Sequence, residues 1–492
     1  MTERAPLPET TSSTVSILEA DYVVVGAGAV GLAFVDVLLD QTDADILLID
    51  RRAEPGGHWR DAYPFVRLHN VSALYGVNSR PLGSGALDTT GLDAGCMERA
   101  GLTEILDYYD TVFRETLLAS GRVRWLPEHD YRPEGVAVSL VDGKALSIRA
   151  RRRVVDATFT DARLPKTHGP GFPVALGVRC ISPDALEVRA DGASGYTVIG
   201  AGKTAMDVAL HLLSQGVDPD DIAWVRPREP WLLNCRRLQP AEPFFEDTVG
   251  GLADEMEAAS QAGSVDEFFL KLEAAGVVLR LDRAVVPTMF RCAIAGEREV
   301  EALRSVRDVV RLGHVMALEP DRMVLEHGVL MFDRDRVHVH CTADGVPRKT
   351  PVPIFQKDRI VPQYVRRCAP VFAAAMIARI EALNLTDAEK NDLCQTVPMV
   401  DEPAHWVQAH LIEGRNRLRW NGVPELRTWL ATSRLDGFGK MITRVAANPT
   451  PAQAAVLDRY RRALQPGYAR MSEWVSSGRP QVGATTASLP GG

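Results

Sequence analysis

The sequence lacks an excess of positive charge, and it lacks long uninterrupted hydrophobic runs. Its 492 residues include 56 Lys and Arg against 64 Asp and Glu, a formal net charge of −8. A mildly acidic chain is a poor candidate for a general binder of nucleic acids or anionic membranes. The most apolar stretch, from Tyr22 to Leu39, is interrupted by three glycines and an aspartate. It therefore predicts a strand, a turn and a helix rather than a membrane span.

Closely spaced cysteines are also missing. The seven cysteines are scattered, and no two of them lie within five residues of each other. This spacing excludes the CxxC redox motif, iron–sulfur motifs and zinc knuckles. An odd, scattered set fits a reducing compartment, and the opening segment MTERAPLPETTSS has no apolar core of a secretory signal. We therefore expect a cytoplasmic protein.

Signals for a metal site and for other enzyme classes are weak. His338 and His340 alternate on a predicted strand at 337–341, but no third ligand stands at a suitable spacing, so we predict no metal site. There is no GxSxG motif to support a hydrolase. No cysteine pair flanks a glycine motif, which argues against a disulfide reductase.

One pattern, an apolar strand followed by a glycine turn and a helix, occurs twice. The copies are YVVVGAGAVGLAFVDVLL from Tyr22 and YTVIGAGKTAMDVALHLL from Tyr196. Since domains average roughly 150 residues, the length indicates two or three of them. Helical spacing predicts further helices at 251–278, 370–383 and 451–464.

The first copy has the spacing of a dinucleotide site. Gly26 permits a tight turn, Gly28 lets the backbone approach a pyrophosphate, and Gly31 lets the helix pack closely on the strand. The N-terminus of that helix offers free N–H groups and partial positive charge to phosphates. A strand at 46–49 ends at Asp50, where a carboxylate accepts hydrogen bonds from a ribose diol. A glycine-rich turn of another α/β protein is the alternative interpretation.

Two adjacent glycines follow shortly after Asp50. Gly56 and Gly57 let the main chain pass close to a flat ring, and Trp59 is an aromatic residue that can cover that ring. The alternative is an ordinary turn with a core tryptophan.

The segments GAGAVG, IDRRAEPGGHW and YPFVRLHN resemble the FAD-binding half of class B flavin-dependent monooxygenases. The resemblance implies FAD rather than NAD at the first site and assigns Asp50 to the adenosine ribose. It also implies that Asn70, the predicted catalytic residue, lies near the flavin C4a, where its amide can hold the distal peroxide oxygen or the nicotinamide amide. A turn-forming asparagine is the alternative. The other residues that the resemblance assigns to FAD are Arg51, Gly57, His58, Trp59 and His129.

The second copy predicts a second nucleotide site. Its third position is Ala205, which the dinucleotide fingerprint allows. A P-loop is excluded because Thr197 stands where that motif needs glycine. The next strand, IAWV, ends in two arginines that can pair with a 2′-phosphate, so NADPH is favoured over NADH. A solvated arginine pair is the alternative. The predicted nucleotide-binding residues are Gly200, Gly202, Lys203, Thr204, Arg226 and Arg228.

We therefore predict an α/β protein with two Rossmann-like dinucleotide-binding domains, of which the FAD domain is discontinuous. The expected parts are residues 1–165 of the FAD domain, an NADPH domain with a helical excursion at 166–334, and residues 335–492. The last part returns to the FAD domain, adds substrate-side segments and ends in a disordered tail from Ser476.

The resemblance implies an FAD-dependent, NADPH-reduced monooxygenase. Such an enzyme would insert one oxygen of O2 into a small organic substrate through a flavin C4a-peroxide, by N- or S-oxygenation or a Baeyer–Villiger reaction. The alternatives are an NADPH-dependent flavin oxidoreductase or oxidase without oxygen insertion, and a non-catalytic nucleotide-binding protein. Homo-oligomer formation is left open.

Overall fold

In the computed structural model, residues 17–188 and 193–477 are described. They form two mainly parallel sheets with helices packed on them, two three-stranded sheets, and a helical part whose residues come from two distant stretches of the chain. The tail predicted from Ser476 lies outside the described residues, except for its first two.

The elements are numbered in chain order. The strands are β1 (Ile17–Val25), β2 (Ile46–Ile49), β3 (Val123–Leu126), β4 (His129–Arg132), β5 (Val136–Ser139), β6 (Ala145–Asp156), β7 (Cys180–Ile181), β8 (Tyr196–Ile199), β9 (Ile222–Val225), β10 (Trp231–Asn234), β11 (Val278–Arg280), β12 (Ile294–Ala295), β13 (Asp308–Val310), β14 (Val315–Glu319), β15 (Arg322–Leu325), β16 (Gly328–Met331), β17 (Val337–His340) and β18 (Arg359–Ile360). The helices are α1 (Ala29–Gln41), α2 (Leu102–Thr111), α3 (Lys203–Ser214), α4 (Phe245–Gln261), α5 (Val265–Ala274), α6 (Glu297–Leu303), α7 (Pro370–Glu381), α8 (Asp387–Leu393), α9 (Pro403–Gly422), α10 (Pro424–Thr432), α11 (Gly437–Ala447) and α12 (Pro451–Ser476).

The first sheet has the strand order β3-β2-β1-β6, with these four strands parallel. Every residue of β2 is buried, as expected for a parallel strand that is covered on both faces. Strands β5 and β4 extend the sheet in antiparallel fashion, and β18 pairs with the end of β6. Because β18 comes about 200 residues after β6, the first domain is discontinuous, as predicted.

The second sheet has the order β13-β9-β8-β17-β7, and all of its strands are parallel. This order places β8, the strand that leads into the second glycine turn, at the centre of the sheet, as in a doubly wound nucleotide-binding sheet. Strand β17 lies between β8 and β7, so the predicted boundary at 334/335 is too early. The second sheet extends to His340, and the chain returns to the first sheet only at β18.

The helical part joins α4 and α5 to α9 and α12 around a buried aromatic cluster. The excursion predicted at 251–278 is two helices, separated where Ser264 caps α5 by accepting a hydrogen bond from the backbone N–H of Glu267. Helix α12 begins at Pro451 as predicted, but it continues past Pro466 to Ser476. Gly467 lets α12 approach α4 closely, because an added Cβ would lie 2.7 Å from the carbonyl oxygen of Met256.

The first glycine turn gives a prediction about stability. A Cβ added at Gly31 would lie 1.8 Å from the carbonyl oxygen of Gly26. We expect Gly31→Ala to lower the free energy of unfolding by about 3 kcal/mol or more, because α1 must move away from β1. Urea denaturation measures the change. The control is Gly422→Ala at the end of α9, where an added Cβ meets nothing within 4 Å. Equal loss of stability in the two variants would contradict the packing argument.

Candidate functional site

The first glycine turn lies at the carboxyl end of β1. Gly26 has φ +103°, which favours glycine, and Gly28 is the N-cap of α1. No side chain caps this helix and its first turn holds no acidic residue. The backbone N–H groups at the start of α1 are therefore available for a phosphate.

Asp50 follows β2 and its residue surface is only 7% exposed. One carboxylate oxygen accepts a hydrogen bond from the backbone N–H of Ala27 at 2.6 Å, and the other accepts from that of Arg52 at 2.8 Å. An ionised carboxylate has about four acceptor positions, so it can also accept from ribose hydroxyls.

Two more predicted residues lie beside Asp50. The backbone N–H of His129 donates to the carbonyl oxygen of Asp50 at 3.0 Å. Arg51 is exposed and forms an ion pair with Asp130, with 3.2 Å between Nε and Oδ1. The structure thus brings Asp50, Arg51 and His129 together at one edge of the first sheet.

The double-glycine segment packs directly on the first glycine turn. The backbone N–H of Gly56 donates to the carbonyl oxygen of Ala27 at 2.9 Å. A Cβ added at Gly57 would lie 2.7 Å from the Cα of Gly28. The sequence-based expectation that Gly28 opens toward a pyrophosphate therefore needs a correction. Gly57 covers one side of Gly28, which leaves the N–H side of α1 for a phosphate.

His58 and Trp59 complete this segment. Burial lowers the pKa of His58 to about 4. The indole N–H of Trp59 donates to the hydroxyl of Tyr75 at 2.8 Å, and Trp59 is 8% exposed. Trp59 therefore packs as a core tryptophan, which was the alternative interpretation of this segment.

A small pocket lies over the start of α1. Its far side is formed by residues 362–364 and Pro370, which no sequence motif assigns to this place. Residues beyond 345 carry no recognisable motif, so no local signal could have assigned them to this place. The pocket is lined by Val30, Thr160, Pro362, Gln363, Tyr364 and Pro370.

The second glycine turn repeats the geometry of the first. Gly200 has φ +126° and Gly202 is the N-cap of α3, again with no side-chain cap and no acidic residue in the first turn. A Cβ added at Gly202 would meet nothing within 4 Å. Open space therefore lies where a pyrophosphate has to approach this turn.

Lys203 and Thr204 face the first domain. The ammonium group of Lys203 pairs with Asp207 one turn along α3. The Tyr63 hydroxyl donates to Asp207 at 2.7 Å. Burial, followed by the charge of Asp207, raises the pKa of Tyr63, and a hydrogen bond with Thr204 opposes that rise. This buried group links the two domains at the start of α3.

The two arginines that follow β9 are not brought together. Arg226 is 5% exposed, pairs with Glu229 at 3.2 Å and lies over the ring of Trp224. Burial lowers its pKa to about 10. Arg228 instead pairs with Asp401 at 3.0 Å, 173 residues away in sequence. In this conformation neither guanidinium group is free to bind a 2′-phosphate, because each arginine already has a carboxylate partner.

Asn70 lies in a pocket between the two domains. Its side-chain oxygen accepts a hydrogen bond from the backbone N–H of Val71 at 2.9 Å, as in a turn. Burial lowers the pKa of the neighbouring His69 to about 4. The pocket is lined by His69, Asn70, Val71, Cys96, Met97, Arg99, Cys235, Leu238, Gln239 and Ile294.

The two histidines of β17 are buried in the second sheet. His338 has no exposed surface, and neither ring nitrogen has a hydrogen-bond partner. Among residues 17–188 and 193–477, no group of three or more His, Cys, Asp or Glu side chains is arranged to hold a metal ion. In the same part of the chain, no helix combines the length and apolar character needed to cross a membrane.

The spacing of the cysteines did not anticipate a bond between two of them. The structure pairs Cys292, which precedes β12, with Cys368, which precedes α7. The disulfide joins positions 76 residues apart, beyond the reach of any short motif.

Comparison with known sequences finds one family and close relatives. Residues 24–78 match the NAD(P)-binding Rossmann-like domain family, which confirms the nucleotide-binding fold of the first copy. Two uncharacterized proteins, from Mycobacterium tuberculosis and Mycobacterium bovis, are each 40% identical to this chain over 451 residues. Each alignment covers 92% of this chain and 84% of the relative.

Solved structures show a more distant likeness. A polycyclic ketone monooxygenase from Thermothelomyces thermophila is 12% identical, with a TM-score of 0.49, over 90% of this chain and 89% of that one. Cyclohexanone monooxygenase from Rhodococcus sp. Phi1, bound to NADP+, is 12% identical with a TM-score of 0.45, over 94% and 98%.

The burial of His338 predicts a pH dependence of stability. Burial and the charge of Arg336 lower its pKa from 6.5 to about 4. Below pH 6.5 the unfolded chain binds a proton there and the folded chain does not, so stability falls by up to about 1.4 kcal/mol per pH unit until about pH 4. We expect His338→Leu to make the free energy of unfolding less dependent on pH, by up to the contribution of one bound proton. Urea unfolding between about pH 7 and about pH 5 measures this slope. The control is His327→Leu at an exposed position; a wild-type slope in the His338 variant would contradict the argument.

Proposed function

The chain belongs to the family of the two mycobacterial proteins compared above, and we propose that it is an FAD-dependent oxidoreductase reduced by NADPH. The observation that carries this proposal is the matched geometry of the two glycine turns. Gly28 and Gly202 cap α1 and α3 with backbone angles of φ −84°, ψ −174° and φ −84°, ψ −178°. Helices α2 and α6 also begin at glycines, but their first turns are acidic, and Glu104 and Glu299 accept hydrogen bonds from the backbone N–H groups of Gly101 and Gly296. Two uncapped glycine starts on two parallel sheets suit two dinucleotides.

The residues of the first site fit FAD. The start of α1 would hold the pyrophosphate on its N–H side, and Asp50 would accept from the adenosine ribose while Arg51 and His129 border that end. Val30 and Gln363, which line the small pocket at the start of α1, would border the part of the cofactor that continues across the domain. When bound, FAD accepts a hydride and passes its electrons on, and the protein supplies binding, orientation and exclusion of water.

The residues of the second site fit a nicotinamide dinucleotide. Gly202 leaves room for the pyrophosphate, and the residue directly after β9 is Arg226 rather than a carboxylate that would select a ribose 2′-hydroxyl. NADPH selection would require Arg226 or Arg228 to exchange its carboxylate partner for the 2′-phosphate. Arg228 is the better candidate, because its side chain is 30% exposed whereas that of Arg226 is 5% exposed.

We further propose that electrons pass to O2 and that one oxygen atom enters a small organic substrate. The support is the position of Asn70 in the pocket between the domains and the resemblance of the first 80 residues to class B monooxygenases. The side-chain amide of Asn70 both donates and accepts hydrogen bonds and carries no charge. The alternative that remains is an oxidoreductase or oxidase of the same fold without oxygen insertion.

Separate substitutions in the two glycine turns test the two cofactor assignments. We expect purified protein to be yellow with about one FAD per chain. Gly28→Ala should give colourless protein, because the methyl group would lie between α1 and the double-glycine segment and displace the backbone that borders the phosphate site. That methyl group would lie 3.4 Å from the Cα of Gly57, a contact that folding tolerates.

Gly202→Ala should keep the yellow colour but raise the NADPH concentration for half-maximal flavin reduction about tenfold or more. Stopped-flow absorbance with NADPH and with NADH measures it, and Gly422→Ala serves as the control. Flavin retained fully in Gly28→Ala, or unchanged reduction in Gly202→Ala, would count against the corresponding site.

Two substitutions of Asn70 separate oxygen transfer from a turn-forming role. Asn70→Asp keeps an oxygen to accept from Val71 but loses the amide donor, whereas Asn70→Leu loses both. If the amide acts in oxygen transfer, both variants keep FAD and its reduction but release more H2O2 for each NADPH consumed. A substrate found by screening for substrate-dependent NADPH oxidation is needed for the assay. If Asn70→Asp matches the wild type in coupling, Asn70 acts only in the turn.

A further inference from the structure

Two cysteines that are far apart in the sequence meet in the pocket between the domains. The Sγ atoms of Cys96 and Cys235 lie 3.2 Å apart, although the residues are 139 positions apart. Both are free thiols in this structure. A disulfide has an S–S distance of about 2.05 Å, so a shift of about 1 Å would allow the bond to form.

The two thiols have different surroundings. Cys96 is half-buried. Its hydrogen bond with Cys235 lowers its pKa, burial and the charge of Asp93 oppose this change, and the charges of Arg99 and Arg236 favour it. Cys235 is 5% exposed, and its hydrogen bond to Cys96, together with burial, raises its pKa. Cys96 is therefore the thiol that ionises first, and Cys235 is held beside it as the protonated partner.

The pocket wall next to Cys96 contains a buried cation with an unused donor. Arg99 is 5% exposed and pairs with both Asp93 and Glu299, but its second terminal nitrogen has no hydrogen-bond partner. The charge of Arg99 lowers the pKa of Cys96 while that of Asp93 raises it, and the unpaired terminal nitrogen of Arg99 remains able to donate a hydrogen bond at the pocket wall.

We propose that Cys96 and Cys235 form a reversible dithiol–disulfide centre that is oxidised by a hydroperoxide. The Cys96 thiolate attacks one peroxide oxygen, the O–O bond breaks, and the departing oxygen takes a proton and leaves as water or an alcohol. Cys96 is then a sulfenic acid. Cys235 attacks its sulfur, the S–O bond breaks and water leaves, so that two thiols have given two electrons to the peroxide. Two equivalents of a small thiol then reduce the Cys96–Cys235 disulfide back to two thiols and are themselves oxidised to a disulfide.

The centre is independent of the proposed flavin chemistry. Its bond would join the loop before Arg99 in the first domain to the turn after β10, across the pocket that contains Asn70. Oxidation would therefore tie the two domains together and narrow that pocket. The Cys292–Cys368 disulfide is already closed in this structure, whereas Cys96 and Cys235 are reduced with their sulfurs in contact, as expected of a pair that opens and closes.

The other free thiols are expected to react more slowly. Burial raises the pKa of Cys180 to about 11, and burial also raises the pKa values of Cys341 and Cys394. A thiol that stays protonated is a poor nucleophile toward a peroxide. We therefore expect a peroxide to react with Cys96 before it reacts with the other free thiols.

The test is titration of the purified full-length protein with H2O2, followed by alkylation and non-reducing peptide mass mapping. We expect the number of free thiols to fall from five to three, with a Cys96–Cys235 linked peptide that dithiothreitol cleaves. Cys235→Ser should instead accumulate a sulfenic acid at Cys96 that dimedone traps, and the control Cys394→Ser should behave like the wild type.

Peroxide treatment that leaves Cys96 and Cys235 free, or that oxidises Cys96 in the wild type without the cross-link, would overturn the proposal. The mapping of the wild-type chain needs no variant, so a substitution that fails to fold does not obscure the result. Neither bound FAD nor NADPH turnover is needed, so failure of the flavin assignment would be seen separately.

Discussion

The close contact between a glycine turn and the helix that follows it is the constraint on which the first domain depends. Gly31 has to lie against the carbonyl oxygen of Gly26, and only a residue without Cβ fits there. This contact fixes α1 on β1, and α1 in turn packs against α7 in the same hydrophobic core. The segment around Gly57 then settles on Gly28. The geometry of this one turn thus brings together the N-terminus of α1, Asp50 after β2, and α7.

Local sequence patterns were sufficient to predict the strands and turns of both nucleotide-binding units. The predicted strands at 46–49 and 222–225 agree with the structure, because fully apolar runs bounded by glycine or charged residues leave little choice. The family resemblance assigned Asp50 and His129 to one site, and the parallel pairing of β2 with β3 brings them together. The existence of the later helices was also predictable from their spacing, although α12 ends later than expected.

Partners that lie far apart in the sequence were not predictable. Nothing near Arg228 indicates that Asp401 will reach it, and no motif indicates that Gln363 will lie over α1. The position of β17 within the second sheet depends on pairing with β8, which is 141 residues away between their first positions, Tyr196 and Val337. Charge and spacing identify residues that are able to bind a ligand, but burial and ion pairing decide whether they are presented to it.

The contact between α12 and α4 has a consequence for how the chain is made. The apolar faces of α4 and α5 pack against α9 and α12 in one core, and Phe268 also contacts Trp474 of α12. Roughly 200 residues separate the end of α5 from the end of α12, so synthesis at about 5–20 residues per second leaves this surface uncovered for about 10–40 s. A nascent chain that exposes Phe268 and Phe269 for that long offers a binding surface to chaperones. The late position of the covering helices makes the yield of folded protein depend on completing the chain.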